Sequence, residues 1–202
     1  MNNKKMARVA KNLDILANVF CKIAAIAGII CVAVAILSLI FGGKIFAEAA
    51  HSPNLDLDFI KLHLTDKVNL DSKFMKLYVC ISTLGGGIVC FLVAYIAGLL
   101  RKILSPMKIG RPFEEGISQN LKNVGWAIIV GGFISEVLGC VARMLLINAY
   151  PFDEFFSPEL IRKTEYVFTI NFNFVIIACA VFLLSYIFSY GQILQRESDE
   201  TL

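Results

Sequence analysis

The stretch 133–147, "FISEVLGCVARMLLI", sets an acid and a base inside an otherwise apolar run. Glu136 and Arg143 stand seven residues apart where only greasy side chains are expected. What they do depends on the solvent around them. Of the 202 residues, 57% are hydrophobic and only 17% charged, and the mean hydropathy is +0.72. A soluble domain of this size carries more charge on its surface. The run around Glu136 is the third of four apolar runs, at about 23–41, 77–100, 124–147 and 170–190. Each has roughly the ~20 residues a helix needs to cross a hydrocarbon core of ~30 Å. Helices satisfy their own backbone in lipid. The pattern therefore predicts an all-α integral membrane protein, one domain over 1–202 with four transmembrane helices.

The spans divide the rest of the chain. Outer loops fall at 42–76 and 148–169, an inner loop at 101–123 and a tail at 191–202. Lys4, Lys5, Arg8, Lys11 and Lys22 flank the first span, and Arg101, Lys102, Lys108, Arg111 and Lys122 fill the inner loop. Basic residues near span ends mark the cytoplasmic face. Both termini are thus expected in the cytoplasm of a multi-pass inner-membrane protein. The outer loop at 42–76 also holds five lysines, but acids accompany them, and the loop at 148–169 is acid-rich. A cleaved signal peptide is disfavoured because the first apolar run exceeds a typical h-region of ~7–15 residues. The net charge of +3 suits anionic lipid and gives no case for nucleic acid binding.

Residues 1–22 read as a basic amphipathic lead-in in the headgroup region, with Ala7, Ala10, Leu13, Ala17 and Phe20 at helical spacing before a turn into the first span. Alternation around Ile60, Leu62 and Leu64 predicts short outer strands. His51 and His63 lie near Asp56 and Asp58, without a recognised metal spacing, and no cofactor is expected. The six cysteines all sit in or beside the spans and read as small apolar filler. Three glycines at 85–87 predict close helix packing, with a hinge as the sharper alternative. Ser105–Pro106 should end the second helix. Pro112 should start the next, with Glu114 and Glu115 in its first turn. Phe113, Ile117, Leu121 and Val124 then form one apolar stripe, either an interfacial seat or a docking face.

Residues seven apart nearly eclipse on a helix. Gly125, Gly132 and Gly139 therefore line one edge of the third span, and Glu136 and Arg143 another about 40° away. Ser135 belongs to the same sector, while Val130, Ile134, Val137, Val141 and Leu145 fill the opposite one. The small and polar sector should face sister helices and the aliphatic one lipid. A direct bond between Glu136 and Arg143 is doubtful across about 10 Å of helix. A water or a hydroxyl such as that of Ser82, Thr83 or Tyr95 could bridge them, as could Asn171 or Asn173. Structural glue, sensing of a ligand, lipid or proton, and a transport path all stay open for this pair.

The chain ends "YGQILQRESDETL". Gly191, Leu194, Gln195, Glu197, Asp199, Thr201 and Leu202 fit the pattern G-x-x-L-Q-x-E-x-D-x-T-[IVL]. Gly110, Pro112 and Phe113, followed by Leu121, Val124 and Gly125, resemble G-x-P-F followed by L-x-x-I-G, with valine at the isoleucine position. With the four-span layout, these motifs resemble the bacterial membrane family catalogued as domain-of-unknown-function family 2975. The chain departs from the usual family pattern at Gly116–Ile117, where an E-N pair is common, and at Arg196, where an acid is common. The family has no established activity. The resemblance implies, by association only, a membrane partner for a small cytoplasmic helix-turn-helix regulator. The two motifs, from Gly110 to Leu121 and from Gly191 to Thr201, would be the partner-binding surface. A small transporter, or an immunity protein against a membrane-active peptide, is the alternative, and either would suit a homo-oligomer. No nucleophile–base pair, phosphate loop or metal spacing argues for an enzyme.

Overall fold

The computed structural model describes residues 3–49, 54–57, 60–63, 72–109, 113–149 and 171–200. Four helices carry the described chain: α1 (Asn3–Ala49), α2 (Ser72–Lys108), α3 (Ile117–Ala149) and α4 (Asn173–Glu200). All four are long and apolar enough to cross a membrane. Between α1 and α2, strands β1 (Asn54–Leu57) and β2 (Ile60–His63) pair antiparallel, Leu57 opposite Ile60 and Asn54 opposite His63. The alternation read in the outer loop is thus a short hairpin. His51, Asp58 and the whole acid-rich loop at 150–169 lie outside the described residues, and no group of His, Cys, Asp or Glu among the described residues could hold a metal.

Several helix ends differ from the expectations. The lead-in does not turn into the first span: α1 is one helix of 47 residues, about 70 Å long. Nothing in 3–41 breaks it, since the segment has no proline and its glycine, Gly28, sits in a packed helix. Pro106 does not end α2, which runs on to Lys108. In a last turn, proline forfeits only one donor, and the amide of Ile109 still reaches the carbonyl of Pro106 at 3.2 Å. Nor does α3 begin at Pro112. Phe113 to Gly116 form a turn, and Gly116 takes φ +94°, a conformation that glycine adopts without a Cβ clash. Its carbonyl accepts from Asn120 at 2.9 Å, making Gly116 the cap of α3 and starting the helix at Ile117. α2 runs unbroken through Gly85–Gly87, so the glycines there make no hinge.

Contacts group the chain into two compact units. The first holds residues 1–29, 88–135 and 171–202. Its core is a cluster of Ile103, Ile117 and Leu121, with Met107 and Phe188 packed against it. Ser118 and Ser185 bracket α3 to α4: each hydroxyl donates to the other's carbonyl, at 3.0 and 2.8 Å. Along the same seam the ring of Phe182 fills the place of a side chain at Gly125, and Phe174 does so at Gly132. Trp126 meets Phe182 edge-on, with centroids 5.8 Å apart. On the α2 side, Leu92 presses on Gly131, and Phe91 covers Gly28 of α1. The glycine edge predicted for the third span therefore does face neighbouring helices at Gly125 and Gly132.

The second unit comprises residues 30–87 and 136–170. There Leu138 touches Gly85 and Cys31 touches Gly86, at ordinary van der Waals distances. Ala35 and Ala142 are buried, and the buried hydroxyl of Ser38 donates to its own helix at the carbonyl of Ala35, 2.7 Å away. All six cysteines are free.

The described interior is built of small residues. Ala10, Ala24, Ala97 and Ala178 are buried, and Ile117 is the one large side chain that is fully so. Large aliphatic groups point outward: Ile40 is 65% exposed, Leu183 66% and Ile176 71%. Apolar surface of that extent in water would be an aggregation site, whereas in lipid it is the normal solvent face. Val130, Ile134, Val137 and Val141 are exposed as the aliphatic sector of α3 requires.

The packing of Gly132 leads to a contrast. In Gly132→Ala the new methyl meets the ring base of Phe174, whereas at Gly98 nothing lies within 4 Å. Gly132→Ala should lower stability by about 1–3 kcal/mol through overpacking. Gly98→Ala should be neutral or stabilising by up to ~1 kcal/mol. Melting of both variants in detergent against the parent checks this, and an unaltered melting temperature for Gly132→Ala would contradict the seam.

Candidate functional site

Two polar constellations belong to the first unit. One forms where the turn before α3 meets the tail of α4. Phe113 lies in that turn, and its ring rests on Gly191 and against Phe188, with centroids 5.6 Å apart. A Cβ at Gly191 would fall 2.6 Å from the Phe113 ring, so glycine is needed for the ring to seat. Gln192 donates to the carbonyl of Glu114 at 2.6 Å, tying the tail to the turn. Arg196 stands 3.9 Å from Glu115 and, one helical turn along, 3.9 Å from Glu200. Phe113, Glu115, Gln192, Gln195, Arg196 and Glu200 line an open groove of 630 Å³. The ion pairs on its rim are exposed and loosely spaced, so they hold it together weakly.

The second constellation joins α1 to α2. Lys108 donates to one oxygen of Asp14 at 2.5 Å, and the Nε of Arg101 donates to the other at 3.3 Å. Arg101 and Lys108 are seven apart, so both project from one face of α2 toward the single carboxylate. Asp14 lies nine residues ahead of the apolar run that begins at Ile23. The Lys108 ammonium bonded to it, and then the Arg101 guanidinium, hold its carboxyl below the ordinary carboxylate range against a smaller opposing effect of burial. This pairing was not read from the sequence. The available signal was one acid in a basic stretch between Lys4 and Lys22, an isolated charge that calls for a partner.

The residues expected to matter are only partly brought together. In the third span Glu136 is half-buried and makes no ion pair among the described residues, while Ser135 and Arg143 are exposed. Arg143 instead donates to the sulfur of Cys140 on its own helix at 3.5 Å, close above Gly139. Ser135 and Arg143 are thus exposed although Ala142 and Glu136, seven residues away on the same two faces, are buried and half-buried, so burial in this sector varies along α3. Two of the groups considered as bridges are engaged locally. Thr83 bonds back to the carbonyls of Val79 and Cys80, and the side chain of Asn171 accepts from the amide of Asn173.

At the other constellation, Leu121 was expected on a docking face but is core, 6% exposed, because α2 and α4 already cover the Ile117–Leu121–Val124 stripe. Gly191 is likewise covered, by Phe113. Leu194, Gln195 and Glu197 lie on exposed helical turns of the tail. Gly110, Pro112 and Thr201 lie outside the described residues, and Asp199 is described only as part of helix α4.

The meeting of turn and tail joins the two stretches that carried the resemblance noted above. A family model for proteins of unknown function, DUF2975, matches residues 63–202. The chain belongs to this family. The match takes in α2, α3 and α4, including both motifs and the groove between them. The lead-in of α1 and its Asp14 precede the matched region. No curated protein and no solved structure matches the chain significantly.

The lowered pKa of Asp14 fixes the sign of a pH effect. A carboxyl whose folded value is depressed stabilises the fold above its unfolded value of ~3.9 and loses that contribution as pH falls through the folded value. All three side chains are partly exposed, so the contribution should be about 1 kcal/mol or less. Asp14→Asn should therefore lower the melting temperature at neutral pH, and the gap to the parent should close as pH falls below ~4. A gap that is constant with pH would show that the carboxylate charge is not what is lost.

Proposed function

We propose that this DUF2975 protein is a non-enzymatic four-span component of a bacterial cytoplasmic membrane. Both ends face the cytoplasm. The protein holds, or signals to, a small helix-turn-helix regulator through the face formed by the 113–116 turn and the tail of α4. The observation that carries this reading is the joining of the two family motifs in one open, mixed-charge groove of 630 Å³. Acids and a base line it, and the exposed tail beyond it offers Leu194 and Gln195. A partner could displace its weak rim pairs at little cost, because exposed pairs contribute roughly 0–1 kcal/mol. The buried stripe of Ile117 and Leu121 would act as the fixed floor rather than as the contact surface.

The reading is tested by reversing the surface without touching the core. In native membranes a small helix-turn-helix regulator should co-purify with the intact protein. Leu194→Glu combined with Arg196→Glu should reduce its recovery at least about tenfold, corresponding to ~1.4 kcal/mol. Equal recovery with and without the double change would remove the groove and tail as the contact. Unaltered transcription in a strain lacking the gene, with a loss of resistance to a membrane-active peptide or of solute flux, would favour an immunity or transport role instead.

A further inference from the structure

A concave apolar surface lies between the start of α1 and the end of α2, within the first unit. Leu13 and Phe20 of α1 form one wall, and Ala97 and Met107 of α2 the other. Leu121 of α3 and Phe188 of α4 contribute to its lining from behind. The groove encloses 510 Å³, and its α2 wall runs from Val93 to Met107, about 21 Å at 1.5 Å per residue. One leaflet of hydrocarbon is about 15 Å deep, half of ~30 Å. The groove therefore matches one leaflet plus the start of its headgroup layer.

One end of the groove is charged. Asp14 follows Leu13 directly, and Arg101 and Lys108 converge on it from α2. Two cations share this one carboxylate. Lys11 and Lys102 are exposed on the faces of α1 and α2 turned away from the groove, so the local excess is the one cation beyond Asp14. Residues 93–109 contain three cations and no acid, and residues 7–22 contain three cations and only Asp14. The ammonium of Lys108 has three donors and the guanidinium of Arg101 has five, so each keeps donors beyond the one given to Asp14. The polar end is thus over-supplied with positive charge and donors where a leaflet presents its phosphates.

We propose that this groove is a binding site for one anionic phospholipid of the leaflet on the N-terminal side. One acyl chain lies between α1 and α2, and the phosphate is held by the spare donors of Arg101 and Lys108. The site is distinct from the face formed by the turn and the tail of α4, with Phe188 shared between its lining and the seat of Phe113. Its occupancy would brace α1 against α2.

Native mass spectrometry of the full-length protein in mild detergent tests the site. Phosphatidylglycerol and phosphatidylcholine with identical chains are supplied in equal amounts. One phosphatidylglycerol should be retained about fivefold or more over phosphatidylcholine. Arg101→Gln with Lys108→Gln should bring the two near parity, and Ala97→Phe, which fills the groove, should reduce retention of both. Parity in the parent, a preference unchanged in the charge variant, loss of the lipid to inorganic phosphate alone, or a doubled mass in place of a lipid adduct would each overturn the proposal. If losing the partners of Asp14 unfolds the charge variant, as read by circular dichroism, the parent still decides. Raising salt from about 0.05 to about 0.5 M should erase the preference through screening, and a preference that survives would overturn the site.

Discussion

Hydrocarbon offers helices no gain from burying one leucine against another, so they hold together only where surfaces fit closely or polar groups meet. The first unit of this protein follows that constraint. Aromatic or aliphatic side chains enter the notches left by glycine: Phe182 at Gly125, Phe174 at Gly132, Leu92 at Gly131 and Phe91 at Gly28. Each contact puts a ring or a branched end where a Cβ would otherwise stand, bringing backbones together and leaving large aliphatic groups for the solvent face. The reciprocal hydroxyl–carbonyl bonds of Ser118 and Ser185 add a polar fastening at the same seam. Bonds of this kind average ~0.6 kcal/mol and rarely exceed ~2 kcal/mol, so fit carries most of the association and the serines fix register.

The polar ends of the first unit use a different chemistry. Around Asp14, Arg101 and Lys108 the contacts are charge-assisted and link segments 87 and 94 residues apart. At the turn and the tail they are one amide-to-carbonyl bond, one ring on a glycine and ion pairs at the limit of contact. The α1–α2 end is therefore electrostatically tight and apolar behind, whereas the α3–α4 end is open and loosely paired. A protein that must stay anchored while offering a surface needs such a division between a fixed and a yielding end.

Much of this was legible in the chain, for identifiable reasons. Runs such as 124–147 declare themselves by length and hydropathy, and the spacing of seven between Gly125 and Gly132 located the packed edge of α3, which does not continue to Gly139. Alternation at 60–64 foretold the hairpin. What was not legible depends on distant partners or on backbone detail. The pairing of Asp14 joins residues far apart in sequence, and a single chain contains no periodic signal for it. Pro106 reads as a stop by local sterics, yet the cost in a final turn is one missing donor. Gly116 looked like the interior of a helix that began at Pro112, but its positive φ makes it the point of entry. Ser135 and Arg143 shared a predicted sector with the glycines, yet they are exposed where Ala142 and Glu136 on the same faces are not, a change along the helix that a periodic pattern does not carry.

The edge-on contact between Trp126 and Phe182 bears on how the protein can be watched. The sequence holds a single tryptophan. Its indole is half open to its surroundings and leans on the same ring that occupies the notch at Gly125. Tryptophan fluorescence of the unlabelled protein thus comes from one known place on the α3–α4 seam. Any slippage between those two helices changes the polarity and quenching around one chromophore, and the molecule carries its own optical gauge of whether that joint is shut.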